Sequence, residues 1–303
     1  MKQHTMVIPA DVPSDKQSTF AQNYSTITRE TGNLLIFAAD QKIEHLNQDF
    51  YGEHIHPDAA HPEHLFAIAQ QGTIGCFATH PGLIARYAQQ YPGINYLAKL
   101  NAKTNLVPTQ QQDPLSLQLF DIDELLTLAD NGANICAVGY TIYLGSEHEA
   151  YMLEQAAQII TTAHQHGLVA VLWIYPRGQA VTNPHNIDII AGAAGVANSL
   201  GADFVKITPP EHQNNTSSAE LLRIAVDAAG NTGVLCSGGP ITDPKQFLQQ
   251  IHDQLQIGGT RGCAVGRNIH SKSRHQAIAM THALSALVYE EKSLQEAVNL
   301  LKL

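Results

Sequence analysis

Lys206 is the residue of this sequence best placed for covalent chemistry. It lies in Gly-Ala-Asp-Phe-Val-Lys-Ile-Thr-Pro-Pro (201–210), a strand-like run whose alternation puts Phe204, Lys206 and Thr208 on one face. A lysine on the packed face of a strand needs a reason, because an ammonium without water either pairs with an anion or lowers its pKa and becomes a nucleophilic amine. The alternative is a lysine at a strand end whose ammonium reaches solvent.

Two further segments have the composition of an anion site. Cys-Ser-Gly-Gly-Pro (236–240) and Val-Gly-Arg-Asn (265–268) each end a strand-like run. Glycine lets backbone N–H groups approach an anion, while Ser237 adds a hydroxyl and Arg267 a guanidinium. Either segment alone is typical of an ordinary tight turn. Together they predict a phosphate cradle made of Ser237, Gly238, Gly239, Gly266 and Arg267.

A third segment, Leu-Trp-Ile-Tyr-Pro-Arg-Gly (172–178), combines two aromatic residues with a cation. Trp173, Tyr175 and Arg177 share one face if the strand stays extended. Tyr175 could then carry a proton if nearby cations lower its pKa, Trp173 could keep water from the reacting carbon, and Arg177 could bind substrate. The competing interpretation is a core aromatic pair beside a surface arginine.

Carboxylates follow the first strand-like run, in Ala-Asp-Gln-Lys-Ile-Glu-His (39–45). Asp40 is the best-placed acid, either to orient a substrate hydroxyl or, in the competing interpretation, to cap a helix. Glu44 and His45 are ambiguous, and we retain His45 as a candidate substrate ligand. Lys99, in Leu-Ala-Lys-Leu-Asn (97–101), is either a second ammonium that binds substrate and lowers the pKa of Lys206, or a surface charge.

These residues need a scaffold that brings strand ends together. Most successive strand-like runs start about 30 residues apart, the length of a βαβ unit, and helical periodicity separates them. This spacing predicts a single-domain α/β protein, a (β/α)8 TIM barrel spanning 31–303, with an N-terminal arm at 1–30 and helical closure at 283–303. The predicted strands are 34–40, 73–79, 94–100, 134–140, 168–174, 202–208, 232–237 and 260–266.

Composition narrows the possible partners. The chain has 303 residues, is 44% hydrophobic and carries a formal charge of -10 without a long basic run, which argues against nucleic acid. It has neither a bilayer-length apolar run nor a signal-peptide pattern, so we expect a cytoplasmic protein without a membrane partner. The four cysteines lie far apart in apolar runs, which predicts buried reduced thiols.

The chain also contains 16 histidines, and four of them, His54, His56, His61 and His64, have spacings that could supply metal ligands. They fall in or beside a polar, proline-containing segment (49–62) that reads as a loop, without a carboxylate–histidine helix motif. We therefore expect no metal.

With these motifs in view, the chain resembles the archaeal-type class I fructose-bisphosphate aldolases, within the wider family that includes deoxyribose-phosphate aldolase-like barrels. The resemblance implies that Lys206 forms the Schiff base, Tyr175 transfers a proton, Asp40 acts as an acid, base or orienting group, and Trp173 forms a pocket wall. The motifs that carry it are 39–45, 99–104, 138–146, 173–178, 201–206, 237–240 and 265–268.

The same resemblance implies reversible cleavage of fructose 1,6-bisphosphate through a covalent imine, without a cofactor, in glycolysis and gluconeogenesis, by a homo-oligomer. Alternatives that keep the lysine are a transaldolase-like enzyme or an amino-sugar synthase. A sugar-phosphate-binding barrel without catalysis is the alternative from another class, and a metal-dependent lyase is a further one. The sequence departs from the usual family pattern at Gln41–Lys42, at Ile207–Thr208 and at His270, which bears on proton handling, on the distal phosphate and on one wall of the site.

Overall fold

The protein folds into a closed barrel of parallel strands in the computed structural model, which describes residues 4, 6–44, 49–106 and 113–302. Each barrel strand pairs with the next barrel strand along the chain, and the last pairs with the first. The predicted (β/α)8 barrel and its eight strands are confirmed. The strands are β1 (Leu34–Ala38), β2 (Cys76–Thr79), β3 (Asn95–Lys99), β6 (Asn134–Leu144), β7 (Val169–Pro176), β8 (Phe204–Ile207), β9 (Gly233–Ser237) and β10 (Gly262–Val265), with a separate antiparallel pair, β4 (Asn101–Ala102) and β5 (Leu117–Gln118).

Helices follow the barrel strands along the chain. They are α1 (Gln17–Thr28), α2 (Gln41–Glu44), α3 (Pro62–Gln71), α4 (Pro81–Tyr87), α5 (Ile122–Asp130), α6 (Glu149–Gln165), α7 (Ile187–Ser199), α8 (Ser218–Ala228), α9 (Pro244–Gln256), α10 (Arg267–His270), α11 (Arg274–Val288) and α12 (Leu294–Leu300). Several start at capping boxes: the Ser217 hydroxyl accepts from the Glu220 N–H, and the Glu220 carboxylate accepts from the Ser217 N–H. The same motif opens α5, α11 and α12, which satisfies N–H groups that a helix start would otherwise leave unpaired. None of the described helices is both long and apolar enough to cross a bilayer.

Two barrel strands run further than the sequence predicts. β6 and β7 stay paired from Ala137 beside Val169 to Leu144 beside Pro176, several residues past the expected ends at 140 and 174. The additional paired residues include Tyr143 beside Tyr175. The four cysteines are buried and free, as expected.

Helix α1 closes the end of the barrel where the strands begin. Its Phe20 and Ile27 are fully buried, and Tyr24 stacks on Phe204, the first residue of β8, at 5.7 Å between ring centroids. Because the amino end of the barrel is sealed in this way, the opposite end is the open face, where the carboxyl ends of the strands carry the predicted chemistry.

A buried histidine holds the segment before α1 to this closed end. His164, in the last turn of α6, is fully buried; its Nδ1 lies 2.9 Å from the Asp11 carboxylate oxygens and its Nε2 lies 3.3 Å from Asp203 Oδ2. Burial by itself lowers the pKa of His164, but hydrogen bonds and charge from Asp203 and Asp11 outweigh it, so the pKa is raised. The folded chain therefore favours the imidazolium form, which bridges two carboxylates.

This bridge predicts a pH-dependent stability. Since the folded pKa of His164 is raised above the unfolded value of about 6.5, its stabilisation is present in full below about pH 6.5 and is lost as pH rises through the folded pKa. Raising the pH from about 6 to about 8 should therefore lower the melting temperature of the wild type more than that of His164→Asn. His166→Asn, the same change two residues along, should behave as the wild type. Equal pH responses of the wild type and His164→Asn would contradict the prediction.

Candidate active site

A cavity of about 360 Å³ opens at the carboxyl ends of the barrel strands. It brings together side chains and loops that are far apart in the sequence: Asp40 and Glu44 after β1, Tyr175 and Arg177 on and after β7, and Lys206 on β8. The glycine loop after β9 and Arg267 after β10 complete the wall. The cavity therefore joins acids, an amine and an anion-binding loop, as the barrel prediction required.

Lys206 lies at the bottom of this cavity, on the inner face of β8. The residue is 6% exposed, and its Nζ lies 5.5 Å from the Trp173 ring centroid and 5.9 Å from that of Tyr175. Burial lowers the pKa of Lys206 most; Asp40 and Glu44 raise it and Arg267 lowers it, with a net decrease. A lowered pKa increases the fraction of neutral amine, which is the form that attacks a carbonyl.

Two buried carboxylates face the amine. Asp40 and Glu44 are 3% and 6% exposed, and both line the cavity. Burial raises the pKa of Glu44, the Lys99 ammonium lowers it and Asp40 raises it again, and the net effect is a raised pKa. Glu44, which the sequence left ambiguous, thus belongs to the same cluster as Asp40.

Lys99 lies below the cavity rather than in its wall, which differs from the expectation that it contacts substrate. Its side chain is fully buried, with Nζ 2.6 Å from Glu44 Oε1, 2.6 Å from Thr141 Oγ1 and 3.8 Å from Asp40 Oδ2. Gly139 leaves room for this side chain, because a Cβ there would lie 3.1 Å from Lys99 Cδ and 2.7 Å from both Leu97 and Trp173. The cations that contribute most to lowering the pKa of Lys206 are instead Arg267 and Arg177.

Trp173 is likewise deeper than expected. It is fully buried, is paired in register with Lys206, and has the Lys99 and Lys206 ammonium groups 5.2 and 5.5 Å from its ring centroid. It therefore supports the two lysines from below and does not line the cavity wall. The indole N–H is buried and finds no hydrogen-bond acceptor within the described part of the chain.

Tyr175 does line the cavity, and the net effect of its surroundings is to raise the pKa of its phenol. Burial raises the pKa of Tyr175, as do Asp40 and Glu44, and Arg177 and Lys99 lower it by less. The condition stated for Tyr175 in the sequence, a pKa lowered by nearby cations, is therefore not met, because burial and the two carboxylates outweigh the cations. The phenol keeps its proton at neutral pH and is equipped to donate a hydrogen bond.

A second phenol, that of Tyr143, stands beside Tyr175 and was missed in the sequence. The two rings stack at 6.5 Å, and the Arg177 guanidinium lies 5.3 Å from the Tyr175 centroid and 5.8 Å from that of Tyr143. Arg177 itself is exposed at the mouth of the cavity. Alternation from Gly139 through Thr141 would have placed Tyr143 on the inner face, had the longer strand been predicted.

The predicted phosphate cradle forms one side of the cavity, and all five of its residues line it: Ser237, Gly238, Gly239, Gly266 and Arg267. Gly239 has φ +65°, a conformation that favours glycine, and a Cβ at Gly238 would press on Val265 at 3.2 Å. The Gly238 N–H already donates to Ala264 O, whereas those of Gly239 and Gly266 donate to no other described group. These two N–H groups and the Ser237 hydroxyl remain available to an anion.

Arg267 completes the cradle as the first residue of α10. Its guanidinium Nη1 lies 3.7 Å from Asp49 Oδ1, and both side chains are partly exposed. The loop after β1 thereby holds the arginine at the edge of the cavity.

Some residues that the sequence singled out do not line this cavity or lie outside the described residues. His45 and the side chains of Gln41 and Lys42 lie outside the described residues. His270 is fully buried and stacks on Phe50 at 4.9 Å, so it does not form a wall of this cavity, although the sequence comparison suggested one.

Two of the four histidines considered as metal ligands, His56 and His64, make local structural contacts. His56 Nδ1 accepts a hydrogen bond from the Asp58 N–H, its ring stacks on His64 at 6.4 Å, and His64 Nε2 lies 3.1 Å from His270 O. Within 4, 6–44, 49–106 and 113–302, no three histidine, cysteine or acidic side chains are grouped to hold a metal ion.

A second cavity, of about 330 Å³, lies at the closed end of the barrel. It is lined by Arg261 and Asp203 among others, but the guanidinium of Arg261 is hydrogen-bonded to the Tyr24 hydroxyl and to Gly32 O. The reactive amine and the cradle lie at the other end, so the chemistry is assigned to the open face.

The fold is a parallel barrel with a buried lysine on its sixth strand and an anion cradle after its last two strands. These features define a class of lysine-dependent barrel enzymes. Residues 34–272 match the family described as "DeoC/LacD family aldolase", and the chain belongs to this family. A relative from Methanocaldococcus jannaschii, named "Fructose-bisphosphate aldolase/6-deoxy-5-ketofructose 1-phosphate synthase", is 50% identical over 301 residues, 99% of this chain and 96% of the relative.

Solved structures agree with this assignment. A fructose-bisphosphate aldolase from Slackia heliotrinireducens superposes with a TM-score of 0.97 at 51% identity, covering 100% of this chain and 95% of the other. An archaeal fructose-1,6-bisphosphate aldolase, solved with its catalytic lysine covalently bound to the carbinolamine intermediate of the substrate, gives 0.74 at 32% identity over 90% of this chain and 99% of the other. The aldolase resemblance read from the motifs is thus confirmed.

Proposed function

We propose that this chain is a class I aldolase that reversibly cleaves fructose 1,6-bisphosphate into dihydroxyacetone phosphate and glyceraldehyde 3-phosphate through an imine on Lys206. The observation that carries the proposal is a buried amine of lowered pKa, in one cavity with two carboxylates and an anion cradle. The names of the Methanocaldococcus and Slackia relatives point to the same substrate. The imine serves as the electron sink, so the scheme requires no metal ion or organic cofactor.

The first half of the reaction builds the electron sink. The neutral Lys206 amine adds to the ketose carbonyl carbon, and the carbinolamine loses water to give a protonated imine. The phenol of Tyr175, which keeps its proton because burial and Asp40 raise its pKa, can hydrogen-bond the departing hydroxyl. Meanwhile the cradle after β9 and β10 holds the substrate phosphate.

The second half breaks the carbon–carbon bond. A carboxylate, with Asp40 as our candidate, takes the proton of the hydroxyl on the carbon beyond the scissile bond, and that oxygen becomes the aldehyde carbonyl. The bonding pair moves into the imine and leaves an enamine. After the aldehyde departs, the enamine carbon takes a proton, and water hydrolyses the imine to free dihydroxyacetone phosphate and the Lys206 amine.

Borohydride trapping tests the proposal directly. The protein is incubated with dihydroxyacetone phosphate or fructose 1,6-bisphosphate, borohydride is added, and peptide mass spectrometry locates any adduct. An adduct on Lys206 is expected, because borohydride reduces an imine to a stable secondary amine. Folded protein without an adduct from either compound would refute imine chemistry and favour a sugar-phosphate-binding barrel.

A second reaction is worth testing because of one observation. The 50% identical Methanocaldococcus relative is named for a 6-deoxy-5-ketofructose 1-phosphate synthase activity as well. Subtracting dihydroxyacetone phosphate from that product leaves a three-carbon 2-oxoaldehyde, so the same enamine on Lys206 would be transferred to a different acceptor. Supplying fructose 1,6-bisphosphate with methylglyoxal and analysing the products separates transfer from simple cleavage.

Arg267 should control substrate affinity more than turnover. We expect Arg267→Ala to raise KM for fructose 1,6-bisphosphate by about tenfold or more, with a smaller change in kcat, since a guanidinium–phosphate contact contributes about 1.5–3 kcal/mol. Steady-state kinetics measure both constants. Arg86→Ala, an arginine in the last turn of α4, is the control. An unchanged KM would remove Arg267 from the cradle.

The expected homo-oligomer stays a prediction, which analytical ultracentrifugation of the full chain tests. A role in glycolysis or gluconeogenesis follows if fructose 1,6-bisphosphate is the substrate.

A further inference from the structure

One side chain of the Val-Gly-Arg-Asn segment has no role in the scheme above, although it contacts the cradle at several points. Asn268, in α10, is 1% exposed. Its Nδ2 donates to Gly238 O at 2.9 Å and to Pro240 O at 2.8 Å, and its Oδ1 accepts from the Thr242 N–H at 3.0 Å. A single carboxamide therefore bonds to three backbone groups of the loop that contains Gly239.

The loop needs such support because of its composition. Gly238 and Gly239 restrict the backbone little, and Gly239 adopts φ +65°, so an unsupported loop would sample many conformations. The Gly239 N–H can serve an anion only if it is held in one direction. With the carbonyls on either side of Gly239 bonded to Asn268, the peptide groups around it are fixed in orientation.

The position of Asn268 in the chain adds a second constraint. It directly follows Arg267, so its carboxamide connects the segment after β10, which carries the guanidinium, to the segment after β9, which carries Ser237 and Gly239. The two halves of the cradle come from different strands. The Asn268 carboxamide hydrogen-bonds from one half to the other.

We propose that Asn268 is a positioning residue for phosphate recognition, which holds the glycine loop in register with Arg267 so that both meet one phosphate ester. This inference rests on the proposed function, since it names how the same site recognises its substrate class. Asn268 does not touch the substrate; it acts through the backbone of 238–242.

The decisive variant is Asn268→Asp, which keeps the shape and the acceptor oxygen but replaces the donor by an oxygen facing two carbonyls. Borohydride trapping is measured against concentration with two ligands, dihydroxyacetone phosphate and unphosphorylated dihydroxyacetone. The concentration giving half-maximal trapping should rise about tenfold or more for the phosphate ester, because two carbonyls of the loop lose their donor and face an oxygen instead. It should change little for dihydroxyacetone, which makes no use of the cradle.

Asn23→Asp is the matched control, because Asn23 makes one carboxamide bond, to Gly167 O at 2.8 Å, at the closed end of the barrel. It should trap both ligands as the wild type does. If Asn268→Asp does not fold, Asn268→Ala takes its place. This variant removes the donor without adding a repulsive oxygen. Equal loss of trapping with both ligands, or loss with neither, would overturn the positioning role.

A separate measurement keeps this inference distinct from the aldolase proposal. Inorganic phosphate should raise the melting temperature of the wild type more than that of Asn268→Asp, and this comparison involves no imine. If wild-type protein forms no adduct but shows that difference, the aldolase scheme fails and the positioning role stands. If phosphate stabilises both proteins equally, the positioning role fails whatever the trapping result.

Discussion

Lys206→Ala should abolish turnover of fructose 1,6-bisphosphate, with kcat reduced by at least about 10⁴-fold, the scale seen when a covalent nucleophile is removed. Lys99 should not replace it, since that amine is fully buried and bonded to Glu44 and Thr141. Borohydride should yield no adduct with this variant. A steady-state assay measures kcat, and mass spectrometry of the borohydride-treated protein detects any adduct.

The fold should survive this substitution, so the loss can be assigned to chemistry. Glu44 keeps its ion pair with Lys99 at 2.6 Å after the Lys206 amine is gone. Lys206→Met, which fills the same space without an amine, should be equally inactive, while Lys245→Met on the exposed start of α9 should retain wild-type turnover. Activity near that of the wild type in Lys206→Ala would exclude the imine mechanism.

The barrel could be predicted from the sequence because its signals are local. Each strand is a short apolar run, most successive runs start about 30 residues apart, and helical patterns lie between them, which leaves few alternatives to parallel pairing. The parity argument also held: Phe204 packs in the barrel interior, while Val205 and Ile207 pack against the outer helices. Such patterns depend on neighbours a few residues away.

The strand ends were harder to predict, since they depend on partners far along the chain. β6 continues to Leu144 because β7 continues beside it to Pro176. Neither run carries a local signal for these additional paired residues. The error hid Tyr143, whose position beside Tyr175 exists only when both strands extend.

The depth of a side chain could not be predicted either. Alternation places Trp173 and Tyr175 on the same inner face but does not say which lies below the cavity and which in its wall. Lys99 shows the same limit, because its burial depends on the space left by Gly139, on a neighbouring strand, and on a carboxylate 55 residues away in sequence.

The charge environment of Tyr175 shows why its pKa could not be derived from the sequence. The sequence places cations near the phenol, and a lowered pKa was one condition for a role in proton transfer. The fold adds Asp40 and Glu44 to the same cluster and buries the ring, and these effects are larger. The Tyr175 phenol therefore keeps its proton at neutral pH, and the role to be tested is that of a proton donor.

Tyr175→Phe should reduce kcat by about 10²-fold or more, the usual contribution of a positioned acid or base, with a smaller change in KM. The variant keeps the aromatic ring beside Arg177 and loses only the hydroxyl, which in the proposed scheme donates to the departing hydroxyl of the carbinolamine. The lost hydroxyl serves the step that forms the imine. The rate of borohydride trapping with dihydroxyacetone phosphate should therefore fall together with kcat.

Tyr140→Phe is the matched control, because Tyr140 lies on the outer face of β6 and its hydroxyl bonds to Gln155 Oε1 at 2.7 Å. It loses the same atom without touching the cavity, and its kcat should stay within about threefold of the wild type, the scatter expected when a substitution removes no contact made in the transition state. If Tyr175→Phe retained full kcat, the proton donor would have to be sought elsewhere. Tyr143 would then be the next residue to change, since its phenol stacks on that of Tyr175 and its pKa is raised by burial and by Glu44.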